Sequence, residues 1–279
     1  MSAMEGIMVV FDFDKTIIEC DSDNWVVDEL GFTDRYDQLL NTMPWNTMMD
    51  KLMKEIYERG NTINDIVEVL KRVPIHSRII PAIQAAHAAG CDLRIVSDAN
   101  VFFIETILDH LGLRKYFSDI NTNPGYVDEE GRLRILPIHD FTKSPHGCTN
   151  PCPPNMCKGL VIKRLQCENP NKKIIYLGDG VGDYCPSLRL KEGDHVMPRK
   201  NYPVYDLITS NPELITAKIH EWVDGGDLEQ VLLSLIQAIM SINGDDHHDV
   251  DEQFVSIDFT KLKTLPNITS LPKALCVTF

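Results

Sequence analysis

Three segments of the chain share a pattern in which a short, unbroken apolar run ends in polar residues. The runs and the residues that end them are Gly6 to Phe11 with Asp12, Cys91 to Val96 with Ser97 and Asp98, and Lys173 to Leu177 with Gly178, Asp179 and Gly180. Such runs are typical of strands that are buried on both faces of a parallel sheet. Helical patterns follow the second and third runs, at Val101 to Leu111 and Tyr184 to Leu190. We therefore predict an α/β fold with a Rossmann-like parallel sheet and right-handed crossovers.

The stretch between the first two predicted strands carries apolar residues at helical spacing instead. The helical segments are Trp25 to Leu30, Met48 to Met53 and Ile63 to Leu70. Because core strands precede and follow them, we predict a helical cap inserted into the core. The predicted boundaries are 1–19 and 81–242 for the core, 20–80 for the cap and 243–279 for a flexible tail. A short strand pair is predicted around Arg132 to Ile138, after a turn at Glu130 and Gly131.

Composition places the chain among ordinary folded proteins. Of its 279 residues, 43% are hydrophobic and 24% are charged, which excludes fibrous and wholly disordered classes. The formal net charge of −14 opposes sequence-independent binding to nucleic acid or anionic lipid. We find no apolar run long enough for a membrane span and no signal peptide, and eight cysteines are too few for a disulfide framework. The sequence therefore predicts a cytoplasmic protein with neither a nucleic-acid nor a membrane partner; its oligomeric state stays open.

Carboxylates gather where the predicted strands end. Asp12 and Asp14 lie two residues apart, and Asp179 and Asp183 follow the third strand. The carboxyl ends of parallel strands meet at one crevice, and carboxylates so close raise one another's pKa unless a cation lies between them. Mg²⁺ prefers such oxygen ligands and commonly binds them together with a substrate phosphate. We therefore predict a Mg²⁺ site, although a single Asp at a strand end more commonly serves the turn.

Two further residues suit a phosphate group. The Ser97 hydroxyl ends the second strand, where following backbone N–H groups also face a ligand. Lys158 opens a helical run through Leu165, and a phosphate site in so acidic a chain needs a fixed cation. The run Gly178 to Gly182 also invites a dinucleotide-loop interpretation, but its spacing is wrong and an unscreened Asp179 would repel pyrophosphate.

These residues together resemble the four ordered motifs of the haloacid dehalogenase superfamily of phosphatases. The matching segments are Asp12-Phe13-Asp14-Lys15-Thr16, Ser97, Lys158 and Gly178 to Asp183. The resemblance implies that Asp12 is the nucleophile, which forms an aspartyl-phosphate, and that Asp14 is the general acid and then the base. It implies Mg²⁺ held by Asp12, the Asp14 carbonyl and Asp179, and we add Asp183 as a candidate ligand. Lys158 and Ser97 are assigned to catalysis, and Thr16 to substrate binding.

Four segments narrow the resemblance to the phosphoethanolamine/phosphocholine phosphatase branch. They are Asp21 to Asn24, Ser97 to Asn100, Pro154 to Lys158 and Gly182 to Pro186. The branch includes plant phosphate-starvation enzymes regarded as inorganic pyrophosphatases, and the similarity is closest to its plant members. In this branch, residues matching Asp23 and Asp98 line the substrate pocket.

The preferred leaving group stays open between two candidates. Acidic Asp23 and Asp98 suit an ammonium or choline cation, with Trp25 or Trp45 as a cation–π partner, whereas pyrophosphate would need more cations. Each residue also has a structural alternative. Asp23 can cap a helix over Asn24 to Leu30, and the two tryptophans can belong to the core of the cap.

The same predicted site could belong to a protein that is not an enzyme. A non-enzymatic, phosphate-responsive binding protein could use the same fold, but binding alone has no need of the acid Asp14.

Cys148, Cys152 and Cys157, near His139 and His146, have side chains suited to Zn²⁺. Their spacing lacks the usual two-residue knuckle, so the sequence favours buried or loop thiols over a zinc site.

Overall fold

The computed structural model of the protein describes residues 6–245, with side chains for residues 6–241. The strands are β1 (Gly6–Phe11), β2 (Asp92–Asn100), β3 (Phe117–Asn123), β4 (Gly125–Val127), β5 (Leu133–Ile135), β6 (Lys172–Gly178), β7 (His195–Pro198) and β8 (Lys218–Ile219). The helices are α1 (Ser22–Glu29), α2 (Thr33–Leu39), α3 (Trp45–Glu58), α4 (Ile63–Leu70), α5 (Ile79–Ala88), α6 (Val101–His110), α7 (Lys158–Glu168), α8 (Tyr184–Ser187), α9 (Pro203–Ser210) and α10 (Gly225–Asp245).

The three strands predicted from apolar runs form the centre of a parallel sheet. The sheet has six strands in the order β3-β2-β1-β6-β7-β8. Phe11 of β1 lies opposite Ile95 of β2 on one side and Leu177 of β6 on the other. Because the strands run in parallel, the residues that follow these positions emerge at one edge. The predicted α/β, Rossmann-like fold is confirmed.

Apolar side chains cover both faces of this sheet. On one face Val9 and Phe11 join a core with α3, α5, α6 and α10. On the other face Met8 and Val10 pack with residues of α7 and α9. The alternation along β1 explains why its sequence is apolar at every position: each side chain is buried, whichever face it points to.

Helices α1 to α4 occupy the predicted helical stretch between β1 and α5. The predicted capping alternative for Asp23 is wrong, because Asp21 precedes α1 and its carboxylate accepts a hydrogen bond from the Asn24 backbone N–H at 3.1 Å. A side chain at the N-cap satisfies a backbone donor that the first helical turn leaves without a partner. Asp23 is therefore inside the first turn, where its carboxylate is available for another contact.

Two local expectations differ from the structure. The helix predicted over Tyr184 to Leu190 ends at Ser187, since the Arg189 N–H donates to the Pro186 carbonyl three residues back, at 2.9 Å, and tightens the chain out of the α conformation. Of the strand pair predicted within 132–138, only one strand, β5, lies in that segment. It pairs antiparallel with β4, which lies before the turn at Glu130 and Gly131. Arg134 on β5 donates two hydrogen bonds to Asp50 of α3, at 2.8 and 2.7 Å, and so joins the hairpin to the helices before β2.

The carboxyl-terminal helix α10 extends to Asp245 and packs against α5. Residues 246–279 of the predicted tail lie outside the described part of the chain. Within residues 6–245, no helix has the length and apolar character needed to cross a membrane.

Candidate active site

Lys158 and Asp12 form a buried ion pair at the carboxyl edge of the sheet. Lys158 is the first residue of α7, and its Nζ lies 2.8 Å from Asp12 Oδ2. The other oxygen, Asp12 Oδ1, accepts a hydrogen bond from the Phe13 backbone N–H at 2.7 Å. Both side chains are almost fully excluded from solvent, with 2% and 6% of their surface exposed. The Asp12 carboxylate is therefore fixed in orientation.

Asp183 provides the second carboxylate for the same ammonium group. Its Oδ1 lies 2.9 Å from Lys158 Nζ and accepts a hydrogen bond from the Tyr176 hydroxyl at 2.6 Å. Its Oδ2 accepts the backbone N–H groups of Asp179 and Gly180, at 3.0 and 2.9 Å. Donors from three segments hold both oxygens, so the Asp183 carboxylate is fixed in orientation relative to the end of β6.

The third carboxylate of the cluster belongs to Asp179. Carboxylate oxygens of Asp12, Asp179 and Asp183 all lie within 4.8 Å of one another, and the three residues are buried. This all-oxygen set has the chemistry that a hard divalent cation prefers. The Asp14 side chain lies outside this group, so of the four residues predicted to bind metal, three bring their carboxylates together.

The hydrogen-bonding environment of the Asp14 carboxyl group differs from that of Asp12. Its Oδ2 accepts a hydrogen bond from the Ser22 hydroxyl at 3.1 Å, and its Oδ1 is buried without a hydrogen-bond partner among the described residues. Burial raises the pKa of Asp14 well above its ordinary value, and the charges of Asp21 and Asp23 raise it further. The raised pKa favours the protonated form of this carboxyl group, which is the form that a general acid requires.

Ser97 and Thr16 both have hydroxyl groups that are buried at this edge. Ser97 Oγ accepts a hydrogen bond from the Ala99 backbone N–H at 3.3 Å, which leaves its own proton for donation. Thr16 Oγ1 has no partner among the described residues. Buried polar groups are normally hydrogen-bonded, so both hydroxyls suit a bound polar ligand.

Three acidic residues, Asp21, Asp23 and Asp98, interact electrostatically with one another beside this cluster, and we call them the acidic wall. Asp98 Oδ1 lies 3.7 Å from Lys158 Nζ, and it is half exposed. Asp23 Oδ2 accepts a hydrogen bond from Trp45 Nε1 at 2.7 Å, and Asp23 Oδ1 is buried. The Asn100 side chain also hydrogen-bonds the Asp23 carboxylate, which lowers its pKa. Burial, followed by the charge of Asp21, raises the pKa of Asp23 to about 8.

The two tryptophans near the wall both pack against the main core. Trp25 Nε1 donates to the Val69 carbonyl at 3.1 Å, which directs its polar atom to α4. Trp45 instead donates to Asp23 and meets Tyr36 edge to face at 5.9 Å. Their packing supports the structural alternative for both, and Trp45 additionally orients an acidic side chain.

Negative charge is in excess around Lys158. Burial by itself would lower the pKa of Lys158, but Asp12, Asp183 and Asp98 outweigh it and hold that pKa well above its ordinary value. Burial also raises the pKa of Asp12 well above its usual range, and raises that of Asp179 to about 7. A single ammonium therefore does not balance these carboxylates, and a divalent cation would.

Comparison with known proteins shows which family uses this arrangement. The sequence profile of the putative phosphatase family matches residues 7–236. The chain belongs to this family. It is 60% identical over 253 residues to inorganic pyrophosphatase 2 of Arabidopsis thaliana, covering 89% of this chain and 90% of that protein. It is 51% identical over 240 residues to a thiamine phosphate phosphatase-like protein of Arabidopsis thaliana, covering 85% and 98%.

A substrate-bound phosphoserine phosphatase has the same fold. The superposition gives a TM-score of 0.55 at 14% identity and covers 82% of this chain and 98% of that one. This likeness shows the fold alone. The family match and the curated relatives confirm the predicted phosphatase family, and the chain is an enzyme of the phosphatase class rather than a phosphate-responsive binding protein.

The fold brings most of the predicted phosphatase residues to one place. Sequence reasoning missed Tyr176, which lies inside β6 and holds Asp183 through its hydroxyl, and Ser22, which donates to Asp14. It also missed Cys185, whose sulfur lies near those of Cys148, Cys152 and Cys157. A tyrosine in an apolar strand gives no signal of its polar contact, but Cys185 stands two residues after Asp183, within a quoted motif.

Substitution of Gly178 tests whether activity depends on the position of the Asp183 carboxylate. A Cβ atom at Gly178 would lie 2.6 Å from Asp183 Oδ2, so the Gly178→Ala substitution must displace the carboxylate that holds Lys158. We expect the kcat for p-nitrophenyl phosphate to fall about 10²-fold, the usual effect of misplacing a catalytic group by about 1 Å. Gly180→Ala is the control, because its nearest described atom would be 3.7 Å away. Circular dichroism checks that both variants fold; a folded Gly178→Ala enzyme with full activity would contradict the assignment.

Proposed function

We propose that this phosphatase uses Mg²⁺ and transfers the phosphoryl group of a small substrate to Asp12 before water releases it. The observation that carries the proposal is the ion pair of 2.8 Å between Lys158 and Asp12, inside a group of three buried carboxylates. The pair places a cation beside a carboxylate of fixed orientation. In-line displacement at phosphorus needs such positioning, together with neutralisation of the phosphoryl charge.

Asp12, Asp179 and Asp183 fit a resident Mg²⁺ ion. Their oxygens lie within 4.8 Å of one another, and the negative charge around Lys158 exceeds the positive. We assign these three carboxylates to the metal site, with Asp14 contributing its backbone carbonyl as the family resemblance implies. When bound, the ion would neutralise charge on the phosphoryl oxygens and favour approach of the Asp12 carboxylate.

Asp12 and Asp14 divide the chemistry between them. An Asp12 oxygen attacks phosphorus, and the bond from phosphorus to the leaving oxygen breaks while Asp14 gives that oxygen its proton. Asp14, now ionised, then takes a proton from a water molecule that attacks the phosphoryl group. The bond from phosphorus to Asp12 breaks, inorganic phosphate leaves, and both residues return to their starting states.

The remaining predicted residues bind and enclose the phosphoryl group. Lys158, the Ser97 hydroxyl and the Thr16 hydroxyl are donors for its oxygens, since all three are buried at the same edge. We propose that the segment 20–80 acts as a cap over them. Its helices supply Ser22 and Trp45, which contact Asp14 and Asp23, so closure of this segment would also exclude water.

The acidic wall favours a substrate with a cationic leaving group. Asp23 Oδ1 is a buried carboxylate oxygen. Trp45 and Asn100 hydrogen-bond the same carboxylate, but neither is charged, and Asp21 and Asp98 add negative charge around it. An ammonium or quaternary amine supplies the charge that this oxygen lacks. We therefore assign the enzyme to phosphate monoesters of amino alcohols, of which phosphocholine and phosphoethanolamine are the simplest.

Inorganic pyrophosphate is the second candidate substrate. The 60% identity to inorganic pyrophosphatase 2 favours it. A second phosphate would need cations beside the acidic wall. Two described lysines lie near it: Lys158, 3.7 Å from Asp98 but already paired with Asp12 and Asp183, and Lys15, 3.9 Å from Asp21. The charge of the wall therefore supports the amino-alcohol phosphate over pyrophosphate.

We also propose a cytoplasmic location, with small phosphorylated substrates as the partners of the enzyme. Cys148, Cys152, Cys157 and Cys185 lie close together as free thiols, a state that reducing compartments maintain. The net charge of −14 disfavours nucleic acid as a partner.

Substitution of the two catalytic carboxylates should separate their roles. Asp12→Asn removes the nucleophile, so we expect no phosphate release from any substrate. Asp14→Asn still allows transfer from p-nitrophenyl phosphate, whose leaving group needs no proton, but impairs attack by water. Rapid mixing should therefore show a burst of nitrophenolate of about one equivalent per enzyme in this variant. Turnover by Asp12→Asn at the wild-type rate would refute the nucleophile assignment.

Metal removal should abolish turnover reversibly. After treatment with a chelator and desalting, we expect activity to return on addition of Mg²⁺ alone. Asp179→Asn removes one charged ligand, so the Mg²⁺ concentration for half-maximal activity should rise at least about tenfold. Asp140→Asn, on an exposed loop, is the control and should match the wild type. Full activity in a chelated enzyme without added metal would contradict the Mg²⁺ assignment.

The role of Asp23 should be visible in the pH dependence of substrate choice. Its raised pKa, about 8, leaves Asp23 largely neutral below that pH and ionised above it. For phosphocholine, the ratio of wild-type to Asp23→Asn kcat/KM should therefore rise as the pH increases through about 8. The same ratio for pyrophosphate should stay flat or fall, because an ionised Asp23 repels an anion. A rise for pyrophosphate and not for phosphocholine would reverse the substrate assignment.

A further inference from the structure

Four cysteines from two segments of the chain, three within 148–157 and the fourth at Cys185, meet beside the active site. Cys148 and Cys152 lie on the loop before α7, Cys157 is the residue before α7, and Cys185 lies in α8. Successive sulfurs around this ring, in the order 148, 152, 157 and 185, are 3.7, 3.6, 3.8 and 3.7 Å apart. We propose that these four side chains bind a structural zinc ion.

The distances between the sulfurs match a tetrahedron. With zinc–sulfur bonds of about 2.3 Å, sulfur atoms at tetrahedral corners are separated by about 3.8 Å. A square of sulfurs with the observed sides would have diagonals of about 5.2 Å by geometry alone, but all four sulfurs lie within 4.8 Å of one another. The cluster is therefore folded towards a tetrahedron and encloses a single centre.

Neither disulfides nor a multi-iron cluster fit this arrangement. A disulfide needs sulfurs about 2.0 Å apart, and all four cysteines are free thiols at nearly twice that distance. Several iron atoms would need more room between the ligands than 4.8 Å allows. A tetrahedral set of four thiolates is the typical coordination of a structural zinc ion.

The surroundings of the sulfurs also suit a bound metal. Asn150 Nδ2 donates a hydrogen bond to Cys185 Sγ at 3.2 Å, as outer-shell donors do for metal-bound thiolates. Gly159 stands where α7 meets α8, and a Cβ atom there would lie 2.5 Å from Cys185 Sγ. The glycine thus permits the two helices to approach closely enough for their sulfurs to share an ion.

The zinc ion would join the two segments that carry Lys158 and Asp183. Cys157 immediately precedes Lys158, and Cys185 follows Asp183 by two residues. These two active-site residues are 2.9 Å apart at Lys158 Nζ and Asp183 Oδ1. The ion would therefore act as a positioning element, which fixes the start of α7 against α8 without touching the substrate.

Metal analysis of the purified full-length protein tests this proposal directly. Protein produced with zinc in the medium should contain about one zinc ion per chain, and a mercurial that blocks thiols should release it to a colorimetric indicator. Cys148→Ser and Cys185→Ser should reduce the content at least about fivefold. Cys167→Ser is the matched control, since Cys167 is exposed on α7 and outside the cluster.

Two further measurements keep the outcome clear if the serine variants fail to fold. Wild-type protein produced with cobalt should show the intense visible bands of a tetrahedral tetrathiolate site. Asp179→Asn should keep its zinc, because the carboxylate site is separate; failure of the Mg²⁺ assignment therefore leaves the zinc result unaffected. Zinc-free wild-type protein whose four thiols all react with a thiol reagent, or are found as disulfides, would overturn the proposal.

Discussion

The buried charge of Lys158 is the constraint on which the active edge of the sheet depends. An ammonium group at 2% exposure is stable only because Asp12 and Asp183 lie within 2.9 Å of it. The same two carboxylates repel each other, and Lys158 is what allows both to remain in the cluster. Removing Lys158 would leave two buried carboxylates uncompensated, so the positions of Asp12 and Asp183 both depend on it.

Backbone groups make this charge cluster rigid. Asp183 receives two backbone N–H groups from the turn after β6, and Gly178 leaves space for it because a side chain there would collide with the carboxylate. β1 and β6 are adjacent and parallel, which places Asp12 next to that turn. The proposed nucleophile, Asp12, and its supporting residues are therefore held by the sheet, so little reorganisation would be required for catalysis.

The central sheet and the cluster were predictable because both follow from local pattern and parallel register. Asp12 and Asp179 follow apolar strands, and residues that follow parallel strands line one crevice, so their proximity could be expected from the pattern alone. The use of Asp21 rather than Asp23 as helix cap was not predictable, since an aspartate at either position can cap a helix. Asp23 instead accepts a hydrogen bond from Trp45. Three cysteines of the cluster were recognised from the sequence, but the fourth, Cys185, was missed because it lies 28 residues beyond Cys157.

Burial acts on Asp14 and Asp23 in the same direction but with different consequences. Both pKa values are raised, and the charge of Asp23 is one of the causes for Asp14. A cationic leaving group beside Asp23 would lower the pKa of Asp14 and so favour donation of its proton. When that group departs, the pKa rises again, which favours acceptance of a proton from water. A pyrophosphate anion would have the opposite effect, so the acidic wall couples the charge of the leaving group to both steps of the reaction.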